Sequence, residues 1–147
     1  MNKLKKILVP IDGSEHSLLA AEYGASLARA CGSELILLHV IPDPGACFLF
    51  PRNKDGETSE QLVRKHRKQL KKIIENIQNQ LSAYNVALRT MIFTGDPAFE
   101  ICRIAELSDV DLIVLGSRGL SEIKEYFLGN VSMRVVRRAR RPVLVVR

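Results

Sequence analysis

With 147 residues, 46% of them hydrophobic and 26% charged, the chain has the balance of an ordinary soluble protein with enough core to fold as one domain, 1–147. The net charge of +6 favours acidic partners, nucleotides among them, but aromatics at 5% supply no stacking platform, so nucleic acid is not an expected partner. Apolar runs too short for a membrane span, a basic start (MNKLKK) that leads into a short strand, and three scattered cysteines (Cys31, Cys47, Cys102) that read as reduced thiols predict a cytoplasmic protein without membrane attachment.

Taken in order, Ile7–Ile11 (ILVPI) is continuously apolar, as a parallel strand buried on both faces must be. Pro10 lies near its end, where a missing ladder donor matters least. Asp12, Gly13 and Ser14 form a turn, and Ser14 is the expected N-cap of a helix over Ser17–Cys31. Leu18, Ala21, Ala25 and Ala28 give that helix a narrow, small-residue face, and Gly32 is its expected stop. Glu34–Val40 (ELILLHV) is the second strand. Between 41 and 58 the residues Pro42, Pro44, Gly45, Pro51 and Gly56 predict an irregular connection, in which Phe48, Leu49 and Phe50 need burial.

A long helix follows over Ser59–Tyr84, with Leu62, Leu70, Ile73, Ile74, Ile77 and Leu81 on its apolar stripe. Val86–Phe93 is the third strand, Thr94–Pro97 a turn, and Ala98–Leu107 a helix. Asp111–Leu115 is the fourth strand. Gly116 and Gly119 come directly after it, then nine residues, then Gly129, Asn130, Val131 and Ser132 at the start of a helix over Val131–Arg138. Pro142–Val146 (PVLVV) is the fifth strand.

Strands alternating with helices predict an α/β fold: a five-stranded parallel open sheet with helices on both faces and right-handed crossovers. In such sheets ligands bind beyond the carboxyl ends of the strands, where the strand order reverses. Asp12 and Gly116 both end strands on that side. Glycines without a Cβ, followed by the exposed N–H groups of a helix start, suit an anion, most often a phosphate. Each feature has a plainer reading. Asp12–Gly13 can be only a turn, Gly116 and Gly119 only a chain reversal, and Ser132 only a helix cap. His39 reads as a satisfied core or pocket-rim imidazole, and His16 and His66 have no acid–nucleophile pattern around them. The basic residues of the long helix (Arg64, Lys65, Arg67, Lys68, Lys71, Lys72) read as a solvated face. Those after the glycine loop (Arg134, Arg137, Arg138, Arg140, Arg141) either raise the local potential or stabilise a helix end. No metal-ligand spacing is visible, so no structural zinc is expected.

The segment PIDGSEHS at 10–17, the run G-x2-G-x9-G-N-x-S at 116–132 and the ending ARRPVLVV resemble the universal stress protein family, in its ATP-binding branch, over essentially the whole chain. Asn130 stands where that branch has Ser or Thr, and Asn can still donate a hydrogen bond or cap a helix. The resemblance implies a Rossmann-like fold of the adenine nucleotide alpha hydrolase type with strand order 3-2-1-4-5. It implies ATP as ligand, with Mg2+ or Mn2+ bridging phosphate oxygens. Gly116, Gly119, Gly129, Asn130, Val131 and Ser132 would then hold the phosphates, and Asp12 would face the ribose or the metal–phosphate side. The Val40 backbone would meet the adenine edge, and Pro10 and Ile11 would wall its pocket.

The family's dimers imply a homodimer in which two copies of the Pro142–Val146 edge pair antiparallel. A stress or regulatory role is the expectation; slow ATP hydrolysis, or action through protein contacts without nucleotide, are the alternatives. A Walker lysine motif is absent, no general base stands beside a water-positioning residue, and the third strand ends without a phosphoacceptor aspartate.

Overall fold

The computed structural model describes residues 3–43, 59–119 and 128–147. Its elements are β1 (Lys6–Pro10), α1 (Glu15–Cys31), β2 (Glu34–Pro42), α2 (Ser59–Leu81), one turn of 3-10 helix (Ser82–Tyr84), β3 (Ala87–Gly95), α3 (Pro97–Leu107), β4 (Leu112–Gly116), α4 (Asn130–Arg138) and β5 (Val143–Val146). The five strands form one parallel sheet in the order β3-β2-β1-β4-β5. The order reverses between β1 and β4, so the expected switch point lies where the sequence places Asp12 and Gly116.

The continuous apolar runs are explained by two cores, one on each face. Ile7, Val9, Leu35, Leu37 and Ile41 point to a layer closed by α1 and α2, through Ala21, Ala25, Leu70, Ile74 and Ile77. Leu8, Ile36, Leu38 and Val40 alternate with them and point to a layer closed by α3 and α4, through Ile101, Ile104 and Val135. Small residues let α1 lie close on the sheet: a Cβ added at Gly24 would be 2.6 Å from Val9 Cγ2. Among the described residues, no helix is long and apolar enough to cross a membrane.

Element ends differ from the sequence reading by one to three residues, for local reasons, the largest being α2, which ends at Leu81 where the chain tightens into the 3-10 turn Ser82–Tyr84. Helix α1 starts at Glu15 rather than Ser17, because the Ser14 hydroxyl accepts from Ser17 N at 3.2 Å and so occupies the N-cap. The expected stop is present: Gly32 has φ 68° and its N–H reaches Ala28 O. Strands β2 and β3 run on to Pro42 and Gly95, which pair with each other, so the turn expected from Thr94 begins two residues later. Asp96 caps α3 through its Oδ1, 2.9 Å from Phe99 N, and Pro97 opens the helix. Asp111 is not in β4. Its Oδ2 accepts from Lys5 N at 2.7 Å and Lys6 N at 2.9 Å, tying the start of β4 to the start of β1. Those two amides hold its carboxyl below the usual carboxylate range. Phe48, Leu49, Phe50 and Cys47, with the rest of the expected irregular connection from 44 to 58, lie outside the described residues, as do loop residues 120–127.

Candidate functional site

Strand β1 hands the chain to α1 on one face of the sheet, and the chain after β4 returns as α4 on the other. The two connections part at the carboxyl edge and leave a cavity of about 560 Å³ between them. That is the size of a small-molecule site. Every residue singled out from the sequence lines it: Pro10, Ile11, Asp12, Val40, Gly116, Gly119, Gly129, Asn130, Val131 and Ser132. Sequence reasoning did not assign to it Ser17, Leu38, Pro42, His66, Pro97, Ile101, Leu115 and Arg118, which share the wall.

The loop after β1 is fixed by its own hydrogen bonds. Asp12 Oδ1 accepts from Ser14 N at 2.9 Å, and the turn between them needs the positive φ of 86° that Gly13 supplies. The Ser17 hydroxyl donates to Ser14 O at 2.9 Å. Asp12 is thereby aimed across the crevice: a Cβ added at Gly119 would sit 2.6 Å from its Oδ2. The loops that follow β1 and β4 meet at this point.

The glycines of the 116–129 pattern have different neighbours. At Gly116 a Cβ would be 2.7 Å from both C and O of the His16 backbone, so this glycine lets the first turn of α1 pack on the end of β4. At Gly129 the nearest atom would be Arg118 Cα at 3.4 Å, an ordinary contact, and the backbone angles (φ −58°, ψ 157°) suit any residue. Among the described residues, therefore, no contact requires a glycine at 129. Gly129 is the N-cap of α4, its N–H donates to Ser117 O at 2.7 Å, and the helix's first bond runs from Met133 N to Gly129 O at 2.9 Å. The N–H groups of Asn130, Val131 and Ser132 consequently have no partner within the helix, and among the described residues no side chain caps them. Ser132 is not the cap of the plainer reading. It sits at the third helical position, buried, and its hydroxyl donates to Gly116 O at 2.8 Å, joining α4 to the end of β4.

His39 fits the satisfied pocket-rim reading. Its Nδ1 lies 2.7 Å from Ile11 O and its Nε2 3.0 Å from His66 Nε2. Burial pushes its pKa below the usual imidazole value. Much of the arginine cluster after the loop is committed to protein. Arg134 grips Asp96 with two bonds of 2.9 and 2.8 Å, which holds the Asp96 carboxyl below its usual range. Arg138 lies over the Phe99 ring, and Arg141 pairs with Glu106 and Asp109.

Among the described residues no cluster of three His, Cys, Asp or Glu side chains could hold a metal ion by itself. Asp12 is the carboxylate that lines the cavity there. One carboxylate suits a Mg2+ or Mn2+ whose other ligands are phosphate oxygens and water, and it does not suit an all-protein cage.

The universal stress protein family model matches residues 3–147. The chain is 35% identical to universal stress protein MJ0577 of Methanocaldococcus jannaschii, over 97% of this chain and 94% of that one. The solved MJ0577 structure superposes with a TM-score of 0.83 at 34% identity, covering 99% of this chain and 96% of that one. YxiE of Bacillus subtilis, also a universal stress protein, is 36% identical over 97% of this chain and 98% of its own. A universal stress protein solved in complex with cAMP has the same fold, with a TM-score of 0.71 at 24% identity over 99% of this chain and 98% of that one. On the family match and the extent of these relatives, the chain belongs to the universal stress protein family.

Proposed function

We propose that this protein binds ATP with Mg2+ or Mn2+ in the carboxyl-edge cavity, and that occupancy of the site is the signal it carries in a cytoplasmic stress or regulatory role. The phosphates lie along the amides of Asn130, Val131 and Ser132, between Gly119 and Gly129, with Asp12 on the ribose or metal–phosphate side. The base lies against Pro10, Ile11 and the Val40 backbone. The observation that carries this reading is Gly129, a glycine that no contact among the described residues requires, set in front of three helix-start amides without helical partners. A protein with this fold has been solved in complex with cAMP, itself an adenine nucleotide. The sheet ends at β5, whose outer edge is short and uncharged and exposes Leu144; two copies pair there antiparallel in a homodimer.

Protein stripped of co-purified nucleotide tests the reading. ATP at ~100 times its dissociation constant, with Mg2+, is expected to stabilise the fold by about 2.7 kcal/mol. For a chain of this size that raises the melting temperature by roughly 5–15 °C. A melting curve unmoved by ATP would leave the family membership standing and remove the nucleotide.

A further inference from the structure

Two histidines of the cavity wall meet head to head. His39, near the end of β2, is only 4% exposed, and His66 comes from the second turn of α2. Their Nε2 atoms are 3.0 Å apart, with ring centroids at 5.3 Å. The 2.7 Å contact from His39 Nδ1 to Ile11 O fixes the tautomer, because a carbonyl oxygen only accepts. His39 therefore carries its proton on Nδ1 and offers a lone pair at Nε2, and His66 donates its Nε2–H to that lone pair. A single proton between two nitrogens thus ties α2 to the sheet at the wall where Ile11 and Val40 stand.

The two further protons the pair can take have different effects. One, on His66 Nδ1, leaves the N–H···N bond intact. The other, on His39 Nε2, sets two N–H groups on two cations face to face across the same gap. That arrangement cannot persist, so the link breaks.

We propose that the His39–His66 pair is a proton-operated latch on the nucleotide cavity, holding α2 against its base-side wall until both rings are charged and releasing it then, with loss of nucleotide affinity. The latch rests on the reading that the cavity takes a nucleotide. Among the described residues, the other charged groups that line the cavity are Asp12, after β1, and Arg118, after β4, while Arg67 of α2 lines a separate groove with Leu70 and Ile74. Burial is the largest influence on His39 and lowers its pKa from 6.5; the Ile11 carbonyl opposes that, His66 adds to it, and Asp12 opposes it. The sign follows from the lowered value: the closed latch is fully present above the ordinary imidazole pKa and is lost as pH falls through the depressed one. A pair coupled this closely titrates in two macroscopic steps, and the second step opens it.

The experiment is ATP binding with Mg2+ by calorimetry from about pH 8 down to about pH 5, the range over which imidazoles titrate, for wild type, His66→Gln and His66→Phe. The ATP phosphates titrate equally for all three proteins, so the quantity read is each affinity relative to His66→Gln. A glutamine amide can donate to neutral His39 or accept from charged His39, so that variant keeps a link at every pH. The wild-type ratio is expected to fall by up to about tenfold per pH unit below the second step. His66→Phe, which has no link to lose, is expected to start low and show no such fall. Nitrogen NMR of the imidazoles at neutral pH should also place the protons on His39 Nδ1 and His66 Nε2. A wild-type ratio that stays flat, or rises as the doubly charged pair attracts phosphate, overturns the latch. Absence of ATP binding at neutral pH overturns the nucleotide reading, and the effect on affinity with it; the proton positions remain a separate test of the pair.

Discussion

Replacing Gly129 with valine is expected to weaken ATP binding by about 100-fold or more while the protein stays folded. The backbone there has φ −58° and ψ 157°, and among the described residues an added Cβ meets nothing nearer than Arg118 Cα at 3.4 Å, so neither the backbone nor those neighbours oppose a side chain in the free protein. The N-cap position loses a modest preference for glycine, a cost of about 1 kcal/mol or less. With a nucleotide present the balance changes. The branched side chain stands at the start of α4, where phosphate oxygens must approach the N–H groups of residues 130, 131 and 132. Hydrogen bonds to charged groups contribute about 1.5–3 kcal/mol each, so losing two of them lowers affinity by at least ~100-fold. Calorimetry with ATP and Mg2+, paired with a melting curve of the free variant, checks both halves. A variant that binds ATP normally would detach the phosphate site from α4.

Gly116→Ala is expected to do the opposite, destabilising the free protein by about 3 kcal/mol, the upper end of what overpacking costs. Its Cβ would be 2.7 Å from the C and O atoms of His16 and 3.0 Å from His16 Cβ. These are atoms in the first turn of α1, not the far end of a flexible side chain. That turn is held by the Ser14 cap and by α1 packing on β1 and β4, so relief requires moving a helix. The melting temperature of the free protein should fall by roughly 5–12 °C. An unchanged melting curve would mean that α1 can retreat from β4 without cost. Two glycines of one sequence pattern are thus separated by measurement: one is read in stability, the other in affinity.

The pattern alone does not make that distinction. Gly116, Gly119 and Gly129 are equivalent as spacing, and they differ only in what the fold brings near each of them. The strands and their two-sided burial were legible because runs such as ILVPI and ELILLHV need apolar neighbours on both faces. The pairing of β1 with β4 was not legible from any local signal; it came from the family resemblance and from the general behaviour of parallel sheets. Asp111 reads as the first residue of a strand until the amides of Lys5 and Lys6, more than a hundred positions earlier, reach its carboxylate. His66 lies in the run RKHRK, which reads as a solvated helix face. Its place on the cavity wall depends on where α2 sits along the sheet, and helical periodicity does not encode that. The hydroxyl of Ser132 looked free to cap a helix or hold a phosphate, and it is engaged by the carbonyl of Gly116.

Amide NMR during titration with ATP and Mg2+ reads the phosphate grip directly. The N–H signals of Asn130, Val131 and Ser132 are predicted to move downfield together and to saturate with the calorimetric affinity, while Leu144 on the far edge of the sheet stays in place. Saturable ATP binding that leaves those three amides unmoved would contradict the account.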